Sequence, residues 1–216
     1  MSVDGATVTK PGSMAAQDAV LDVAGDSGRY VSRAAVKLLA ALDAFGFDPA
    51  GRDALDVGAS TGGFTQVLLE RAAAHVIAVD VGRDQLREEL RADRRVTVLE
   101  STDARGLTPA LVSSPVTAIV ADVSFISLTK ALPAALEFAK PGCWLVALVK
   151  PQFEAGREAV GKGGVVRDAA ARQSAVEKVR AWLAAQPGWA VTGLIESPLR
   201  GADGNLEFLL GATFNP

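Results

Sequence analysis

Three charged side chains lie at the end of, or within, apolar, strand-like runs. These positions are the best placed in the chain to do chemistry. Asp122 follows a run of small apolar residues, Lys150 follows the longest apolar run, and Glu207 lies within the last one. Open α/β sheets bind their ligands at the carboxyl ends of the strands. A carboxylate inside an apolar strand costs free energy unless it has a partner or faces a site. Glu207 is therefore the hardest of the three to interpret as an ordinary strand end.

A glycine-rich segment, Asp56-Val57-Gly58-Ala59-Ser60-Thr61-Gly62-Gly63-Phe64, follows a short apolar strand and opens a predicted helix. Glycines allow a tight turn and a close approach of the backbone to a ligand, and a helix start presents free N–H groups. Ser60 replaces the second glycine of the dinucleotide motif, and no Walker Gly-Lys-Ser/Thr follows. The segment resembles the loop that cradles S-adenosylmethionine. A plain glycine-rich turn is the alternative.

Two further aspartates follow the next strands of the pattern. Asp80 ends the strand that begins at His75, and a carboxylate there can accept hydrogen bonds from both ribose hydroxyls of a bound nucleoside. Asp103 follows the third strand, where such folds commonly meet the adenine. An equally weighted alternative makes Asp103 a solvated loop residue or a helix cap.

Apolar and β-branched runs bounded by turn residues predict the elements that position these side chains. Seven strands are predicted over residues 54–57, 75–81, 96–99, 118–123, 143–149, 190–195 and 206–213. Helices are predicted over residues 32–45, 63–73, 84–92, 127–139 and 168–185, the first capped by Ser32 and the fourth kinked or shortened by Pro133. Alternating strands and helices predict an α/β fold with a mainly parallel sheet covered on both faces. The last two strands lack a helix between them and are expected to pair antiparallel.

Composition excludes several classes of protein. One cysteine and one histidine cannot form an internal disulfide framework or a Cys/His zinc site, so no metal is expected and a reducing, cytoplasmic setting is favoured. The longest apolar run is far shorter than the roughly 20 residues of a membrane span, and no secretory signal is expected at the start. The net charge of -3 gives no sign of a nucleic-acid partner.

Five ordered motifs resemble one known family. They are Ser32-Arg33-Ala34-Ala35-Val36-Lys37-Leu38, the loop at 56–64, Asp122-Val123-Ser124-Phe125-Ile126-Ser127-Leu128, Val149-Lys150-Pro151-Gln152-Phe153-Glu154 and Gly204-Asn205-Leu206-Glu207-Phe208-Leu209. Together they resemble the TlyA ribosomal RNA 2′-O-methyltransferases of the FtsJ-like group, historically also called hemolysins. The resemblance spans about residue 29 to the end of the chain. It implies a Rossmann-like S-adenosylmethionine-dependent methyltransferase with a seven-stranded, mainly parallel sheet and helices on both faces.

The resemblance also implies methyl transfer from S-adenosylmethionine to a ribose 2′-hydroxyl, with cytidine in ribosomal RNA as the expected substrate. The family's Lys-Asp-Lys-Glu tetrad falls on Lys37, Asp122, Lys150 and Glu207. Lys150 is the candidate base, positioned by Asp122, while Lys37 and Glu207 orient the ribose. An ordinary lysine is neutral only about once in 2,500 molecules at pH 7, so electrostatic stabilisation is the rival role for Lys150.

The implied binding residues divide into two sets. Those for the cofactor are Asp56, Gly58, Ala59, Ser60, Thr61, Gly62, Gly63, Phe64, Asp80, Asp103 and Asp122. Those for RNA are Arg29, Arg33, Arg157 and Lys162, for which a solvated surface is the ordinary alternative. Ala34-Ala35-Val36 departs from the family pattern just before Lys37 and leaves that lysine in place.

The first 28 residues differ in amino-acid composition from the rest of the chain. They are rich in Gly, Asp, Ser and Thr, with strand-like pieces around Asp4-Gly5 and at Ala19-Val20-Leu21-Asp22-Val23. They resemble the last β portion of an S4 RNA-binding domain, which TlyA proteins carry before the methyltransferase. The expected organisation is a remnant of that domain with its linker over residues 1–28 and the methyltransferase domain over residues 29–216. Intact cofactor chemistry with impaired capture of ribosomal RNA or ribosomal subunits is expected.

Three alternatives remain at this point. One is a truncated RNA- or cofactor-binding remnant with little activity, and another is a membrane-lytic hemolysin, which needs an amphipathic or spanning segment. The third is methylation of a small molecule or protein by the same fold, which leaves Lys37 and Glu207 without a role.

Overall fold

The computed structural model describes residues 29–216 and, before them, the short pieces 2–3, 6–7 and 21–22; the side chain of residue 157 lies outside the description. The three short pieces are strands β1 (Ser2–Val3), β2 (Ala6–Thr7) and β3 (Leu21–Asp22), which pair antiparallel in the order β2-β1-β3. The strand-like piece expected around Asp4-Gly5 falls outside the described residues, as does most of the expected S4 remnant.

A seven-stranded sheet forms the centre of the rest of the chain. Its strands are β4 (Asp53–Val57), β5 (His75–Val79), β6 (Val96–Leu99), β7 (Val116–Ala121), β8 (Ala139–Val149), β9 (Trp189–Glu196) and β10 (Phe208–Phe214). Their order across the sheet is β6-β5-β4-β7-β8-β10-β9. The five strands from β6 to β8 run parallel, and β10 pairs antiparallel with both β8 and β9. The predicted fold class and the predicted antiparallel pairing of the last two strands are confirmed.

The helices are shorter and more numerous than the sequence pattern predicts. They are α1 (Ala34–Phe45), α2 (Gly63–Glu70), α3 (Glu88–Arg91), α4 (Leu128–Ala131), α5 (Pro133–Leu136), α6 (Pro151–Glu154) and α7 (Ala169–Ala184). Single 3-10 turns span Ala104–Gly106 and Arg157–Ala159. The helix predicted over 127–139 is broken by Pro133, which begins α5 because its missing N–H costs nothing at a helix start. Helix α6 was not predicted.

The start of α1 also differs from the prediction. Arg33, not Ser32, occupies the N-cap position, and it makes no side-chain capping bond. Ser32 Oγ instead accepts a hydrogen bond from the N–H of Ala34 at 3.3 Å. The hydroxyl also packs where a Cβ on Gly63 would lie, so the chain entering α1 lies against the start of α2.

Hydrophobic side chains fill both faces of the sheet. On β8, Leu145, Ala147 and Val149 face one core cluster, and Trp144, Val146 and Leu148 face the other. A strand buried on both faces has no polar side to alternate with, which explains its continuous apolar run. One core cluster includes residues of α4, α5 and α7, and the other includes residues of α1 and α2.

The strand order reverses between β4 and β7, since the chain passes from β4 toward β5 on one side and returns to place β7 on the other. In open α/β sheets the crevice at such a switch point binds ligands. Because β10 runs antiparallel to β8, its first residue, Phe208, pairs with Val149 at the end of β8. The start of β10 and the ends of the parallel strands therefore share one edge of the sheet.

Candidate active site

A cavity of about 550 Å³ opens at this edge of the sheet. Its lining comes from the loop after β4, the segments that follow β7 and β8, the start of α1 and the loop before β10. The volume lies within the range of roughly 300–1,000 Å³ that is usual for small-molecule sites. The cavity therefore joins the predicted ligand loop to the predicted catalytic residues.

Lys150 and Asp122 form one ion pair in the cavity. Lys150 follows β8, Asp122 follows β7, and these strands are parallel neighbours whose residues Ala121 and Ala147 are in register. Lys150 Nζ lies 2.6 Å from Asp122 Oδ1 and donates a hydrogen bond to Ser124 Oγ at 2.9 Å. The side chains are only 12% and 17% exposed. Neighbouring parallel strands thus bring the ammonium and the carboxylate together.

Lys37 and Glu207 form a second, more deeply buried ion pair. Lys37 Nζ donates to Glu207 Oε2 at 2.5 Å, and the side chains are 10% and 3% exposed. Glu207 was expected within the last strand, but it directly precedes β10. This position places it at the site because the antiparallel β10 begins where β8 ends. All four tetrad residues line the same cavity.

The glycine-rich loop packs directly against the segment that follows β7 and carries Asp122. Gly58 has a φ of +86°, and a Cβ there would lie 2.6 Å from the carbonyl oxygen of Asp122. Gly62, with a φ of +101°, packs against the Leu90 side chain of α3. The predicted loop residues that line the cavity are Gly58, Ala59, Ser60, Thr61, Gly63 and Phe64. Within the predicted loop set, Gly62 and Asp56 do not line it.

Asp56 lies behind the loop and is fully buried. Its Oδ2 accepts a hydrogen bond from Thr65 Oγ1 at 2.7 Å, while Oδ1 has no hydrogen-bond partner among the described residues. Burial, with smaller contributions from the nearby carboxylates of Asp122 and Asp80, raises the pKa of the Asp56 carboxyl to about 7 against the opposing effect of the hydrogen bonds from Thr65. Asp56 therefore acts from beneath the loop rather than from the cavity wall.

Asp80 fastens the loop to the end of β5. Its Oδ2 accepts from the N–H of Ser60 at 2.8 Å, and its Oδ1 accepts from the N–H of Gly82 at 2.7 Å. Each carboxylate oxygen can accept a second hydrogen bond, so these contacts are compatible with the predicted ribose contact. Asp80 is not among the residues that line the cavity.

Asp103 caps the 3-10 turn at Ala104–Gly106 by accepting from the N–H of Arg105. Its carboxylate also pairs with the Arg105 guanidinium at 2.5 Å. These hydrogen bonds from Arg105 lower the pKa of Asp103 to about 2. The capping alternative describes its contacts here, and a contact with adenine stays a prediction.

The basic residues predicted to bind RNA are distributed unequally around the cavity. Arg33 is exposed and lines it, and Lys162 is exposed in the loop between the lining residues Val160 and Gly164. Arg29 lies farther away, where it pairs with Glu70 at 2.8 Å and stacks over the Tyr30 ring. The side chain of Arg157 falls outside the described part of the chain.

The comparisons with known proteins agree with this geometry. The chain matches the FtsJ-like methyltransferase family over residues 30–214. It is a member of that family. It is also 51% identical over 209 residues to the 16S/23S rRNA (cytidine-2′-O)-methyltransferase TlyA of Mycobacterium tuberculosis, covering 96% of this chain and 78% of that protein.

Relatives of this FtsJ-like chain also carry the name hemolysin. Hemolysin A of Brachyspira hyodysenteriae is 40% identical over 186 residues, which cover 84% of this chain and 75% of that protein. A Lactococcus lactis crystal structure described as a hemolysin superposes with a TM-score of 0.82 at 44% identity, covering 86% of this chain and 88% of that one. Aeropyrum pernix fibrillarin with bound S-adenosyl-L-methionine shares the fold alone, with a TM-score of 0.55 at 15% identity, over 83% of this chain and 76% of that one.

Several residues of the FtsJ-like site carried no predicted role. Phe125 is 91% exposed, lines the cavity and has a φ of +64°, a conformation that is unusual for a bulky residue. Its ring centroid lies 5.2 Å from that of Phe153. Gln152 and Arg200 also line the cavity. The motifs that carry the family resemblance include Phe125, Gln152 and Phe153, but exposure and backbone strain cannot be inferred from residue type.

The described residues also bear on two other kinds of site, a membrane span and a metal site. Among the described residues, no helix combines the length and apolar character needed to cross a membrane. The same residues include no group of three or more His, Cys, Asp or Glu side chains arranged to hold a metal ion. Burial raises the pKa of the Cys143 thiol to about 12, so this cysteine is an inert core residue.

Proposed function

We propose that the chain transfers a methyl group from S-adenosylmethionine to the 2′-hydroxyl of a cytidine ribose in ribosomal RNA. The observation that carries this proposal is the pair of lysine–carboxylate ion pairs that face one cavity beside a glycine-rich loop. The names of the relatives supply the substrate class, since the Mycobacterium tuberculosis protein is an rRNA (cytidine-2′-O)-methyltransferase.

The residues around the loop fit the proposed cofactor. Gly58, which follows β4, and Gly63, at the start of α2, bring backbone without a side chain to the cavity, and a helix start favours a carboxylate such as that of the methionine part. Asp80, at the end of β5, is placed to accept hydrogen bonds from the ribose hydroxyls. The carboxylates of Asp80 and Asp122 flank the loop and complement a cation. When bound, the cofactor supplies an activated methyl group on a positively charged sulfur.

Lys150 is the residue assigned to the substrate hydroxyl. Asp122 and Ser124 hold its Nζ at the cavity wall. These two contacts leave one hydrogen-bonding position of Nζ for the substrate. A neutral Lys150 would accept the proton of the 2′-hydroxyl, and a charged Lys150 would stabilise the developing oxyanion. Lys37 and Glu207 approach from the α1 side and hold the ribose by hydrogen bonds. Alignment of this kind can contribute several kcal/mol to lowering the barrier.

The rim of the cavity fits a nucleotide displaced from an RNA chain. Phe125 presents an exposed ring, and stacking on aromatic side chains is the usual way in which unpaired RNA bases are bound. Arg33 at the rim and Lys162 in the neighbouring loop are placed to contact phosphates, and RNA contacts by Arg29 and Arg157 stay a prediction. The net charge of -3 is compatible with RNA because local cations such as Arg33 and Lys162 can contact phosphates whatever the sign of the overall charge. A ribosomal partner places the protein in the cytoplasm.

The proposal is tested by methyl transfer from radiolabelled S-adenosylmethionine to purified ribosomal subunits, followed by nucleoside analysis of the RNA. Wild type is expected to yield 2′-O-methylcytidine, and Lys150→Ala is expected to yield none while still binding the cofactor. A methylated base, or methylation of protein but not RNA, would contradict the substrate assignment. Cofactor binding without any turnover by wild type would favour the binding-remnant alternative.

A further inference from the structure

Asp56 has no task in the mechanism above, although it is the most deeply buried carboxyl near the site. It is completely buried within β4, where Thr65 is its hydrogen-bonding partner, through the hydroxyl on Oδ2 and through the backbone N–H. Its Oδ1 is also buried and has no hydrogen-bond partner in the described part of the chain. A buried ionised carboxylate is normally compensated on both oxygens. Ionisation of Asp56 would place charge on an oxygen that is fully buried and has no donor, so burial and the missing donor both disfavour the charged form.

The charges that face Asp56 come from each element packed around it. Asp80 follows the neighbouring β5, and Asp122 follows the neighbouring β7. Helix α2 contributes the neutral Thr65. Beyond these, Lys150 from the end of β8 is paired with Asp122, and Lys37 from α1 is paired with Glu207. The surrounding carboxylates exceed the surrounding ammonium groups by one, so an additional positive charge would be favourable here.

We propose that Asp56 is the group through which the site distinguishes its cationic cofactor from the neutral product S-adenosylhomocysteine. Near neutral pH Asp56 is protonated in part of the molecules when no cation is present, and binding of a sulfonium in the cavity favours release of this proton. The inference rests on the proposed cofactor. It assigns Asp56 a positioning and electrostatic role rather than a direct contact, since Asp56 does not line the cavity.

The sign of the effect follows from linkage. A nearby cation favours the ionised carboxylate, so the pKa of Asp56, about 7 in the free protein, is lower in the cofactor complex. The affinity for the cation therefore rises with pH between the lower and the higher pKa and becomes constant only well above the higher one. Each unit by which the cation lowers this pKa corresponds to about a tenfold gain in affinity.

The ratio of the two ligand affinities isolates this effect. S-adenosylmethionine and S-adenosylhomocysteine carry the same adenosine, amino and carboxyl groups, so titration of those groups cancels in the ratio of the dissociation constants. The difference that remains is the charge on sulfur. The affinity for the product is therefore expected to depend little on Asp56. The affinity for the cofactor, relative to that for the product, is expected to increase as the pH rises.

The experiment is isothermal titration calorimetry of the full chain with each ligand from pH 5.5 to 8. The affinity ratio in favour of S-adenosylmethionine is expected to rise about tenfold or more and to begin to level off toward pH 8. At pH 7, buffers of different ionisation enthalpy are expected to report release of about half a proton per bound cofactor and less for the product. Asp56→Asn retains the acceptor for Thr65 and is expected to remove both effects. Asp53→Asn, at the opposite end of the same strand, is the matched control and is expected to retain both.

Two results would overturn the inference. One is an affinity ratio that does not change with pH in wild type, and the other is an unchanged pH dependence in Asp56→Asn. If Asp56→Asn does not fold by circular dichroism, proton release by wild type decides the question alone. Failure of both ligands to bind at every pH would instead overturn the proposed cofactor, and so differs from binding without pH dependence.

Discussion

Lys37 and Glu207 are 170 residues apart in the chain, yet they form an ion pair of 2.5 Å that is almost completely buried. The pair joins α1, which begins the described domain, to the first residue before the last strand. An ion pair this buried loses hydration on both sides and is retained only where geometry compensates for it. The site and the closure of the fold thus depend on the same contact.

Breaking this pair is expected to destabilise the protein. Glu207→Gln leaves the Lys37 ammonium buried beside a neutral amide, and the free energy of unfolding is expected to fall by about 3–5 kcal/mol. Urea denaturation followed by circular dichroism measures the change. The double variant Lys37→Met with Glu207→Leu removes both charges and is expected to recover most of the stability but no methyl transfer. A Glu207→Gln variant as stable as wild type would show that the pair contributes nothing to folding.

Lys150 is expected to control turnover but not cofactor binding. Lys150→Ala should lower the single-turnover rate by about 10²–10⁴-fold, the usual contribution of a positioned proton acceptor. The cofactor dissociation constant should change little, because this side chain faces the substrate. Lys140→Ala, at an exposed position of the same strand β8, is the control and should retain the wild-type rate.

Lys150→Arg separates the two roles of this residue. Arginine keeps the positive charge but does not lose its proton in proteins, so it cannot serve as a base. Loss of activity in this variant, together with a wild-type rate that rises with pH, would support proton transfer. A pH-independent wild-type rate and substantial activity in Lys150→Arg would instead show electrostatic stabilisation.

Gly58→Ala is expected to move the glycine-rich loop away from the segment that carries Asp122. The residue has a left-handed backbone, and its new Cβ would lie 2.6 Å from the carbonyl oxygen of Asp122. Stability should fall by about 1–3 kcal/mol, and the cofactor affinity should fall because the loop moves away from β7. Gly106→Ala is the control, since Gly106 has open space around it and no positive φ. Equal cofactor affinities in wild type and Gly58→Ala would contradict the close packing described here.

Phe125→Ala is expected to weaken RNA binding without affecting the cofactor. Stacking of one base on an aromatic ring is worth about 1–3 kcal/mol, so the KM for ribosomal subunits should rise by roughly 5- to 150-fold. The fold should be unaffected because the ring is exposed. Leu111→Ala removes another exposed apolar side chain, one that does not line the cavity, and serves as the control. An unchanged KM with a lower kcat would place Phe125 in the chemical step instead.

Local patterns predicted the parts of the molecule that depend on local physics. The apolar runs of β4 and β8, the glycine loop and the start of the helix near Asp168 are properties of neighbouring residues, and they appear close to where the sequence places them. The helix over 127–139 was predicted too long because its periodic pattern continues past Pro133 into the residues that begin β8. The apolar runs indicated Asp122, Lys150 and Glu207, and the family resemblance added Lys37 and joined the four residues into a tetrad.

By itself, the sequence determined the α/β architecture, the loop after β4 and the residue types available for catalysis, because strand and helix periods and glycine conformations are encoded over a few neighbouring positions. Only the tertiary structure decided that Lys150 pairs with Asp122 and Lys37 with Glu207. It also decided that Asp56 is buried behind the loop while Phe125 is exposed at the rim. These outcomes depend on the order of strands and on the antiparallel direction of β10, which bring together residues that are far apart in the chain and so leave no local pattern.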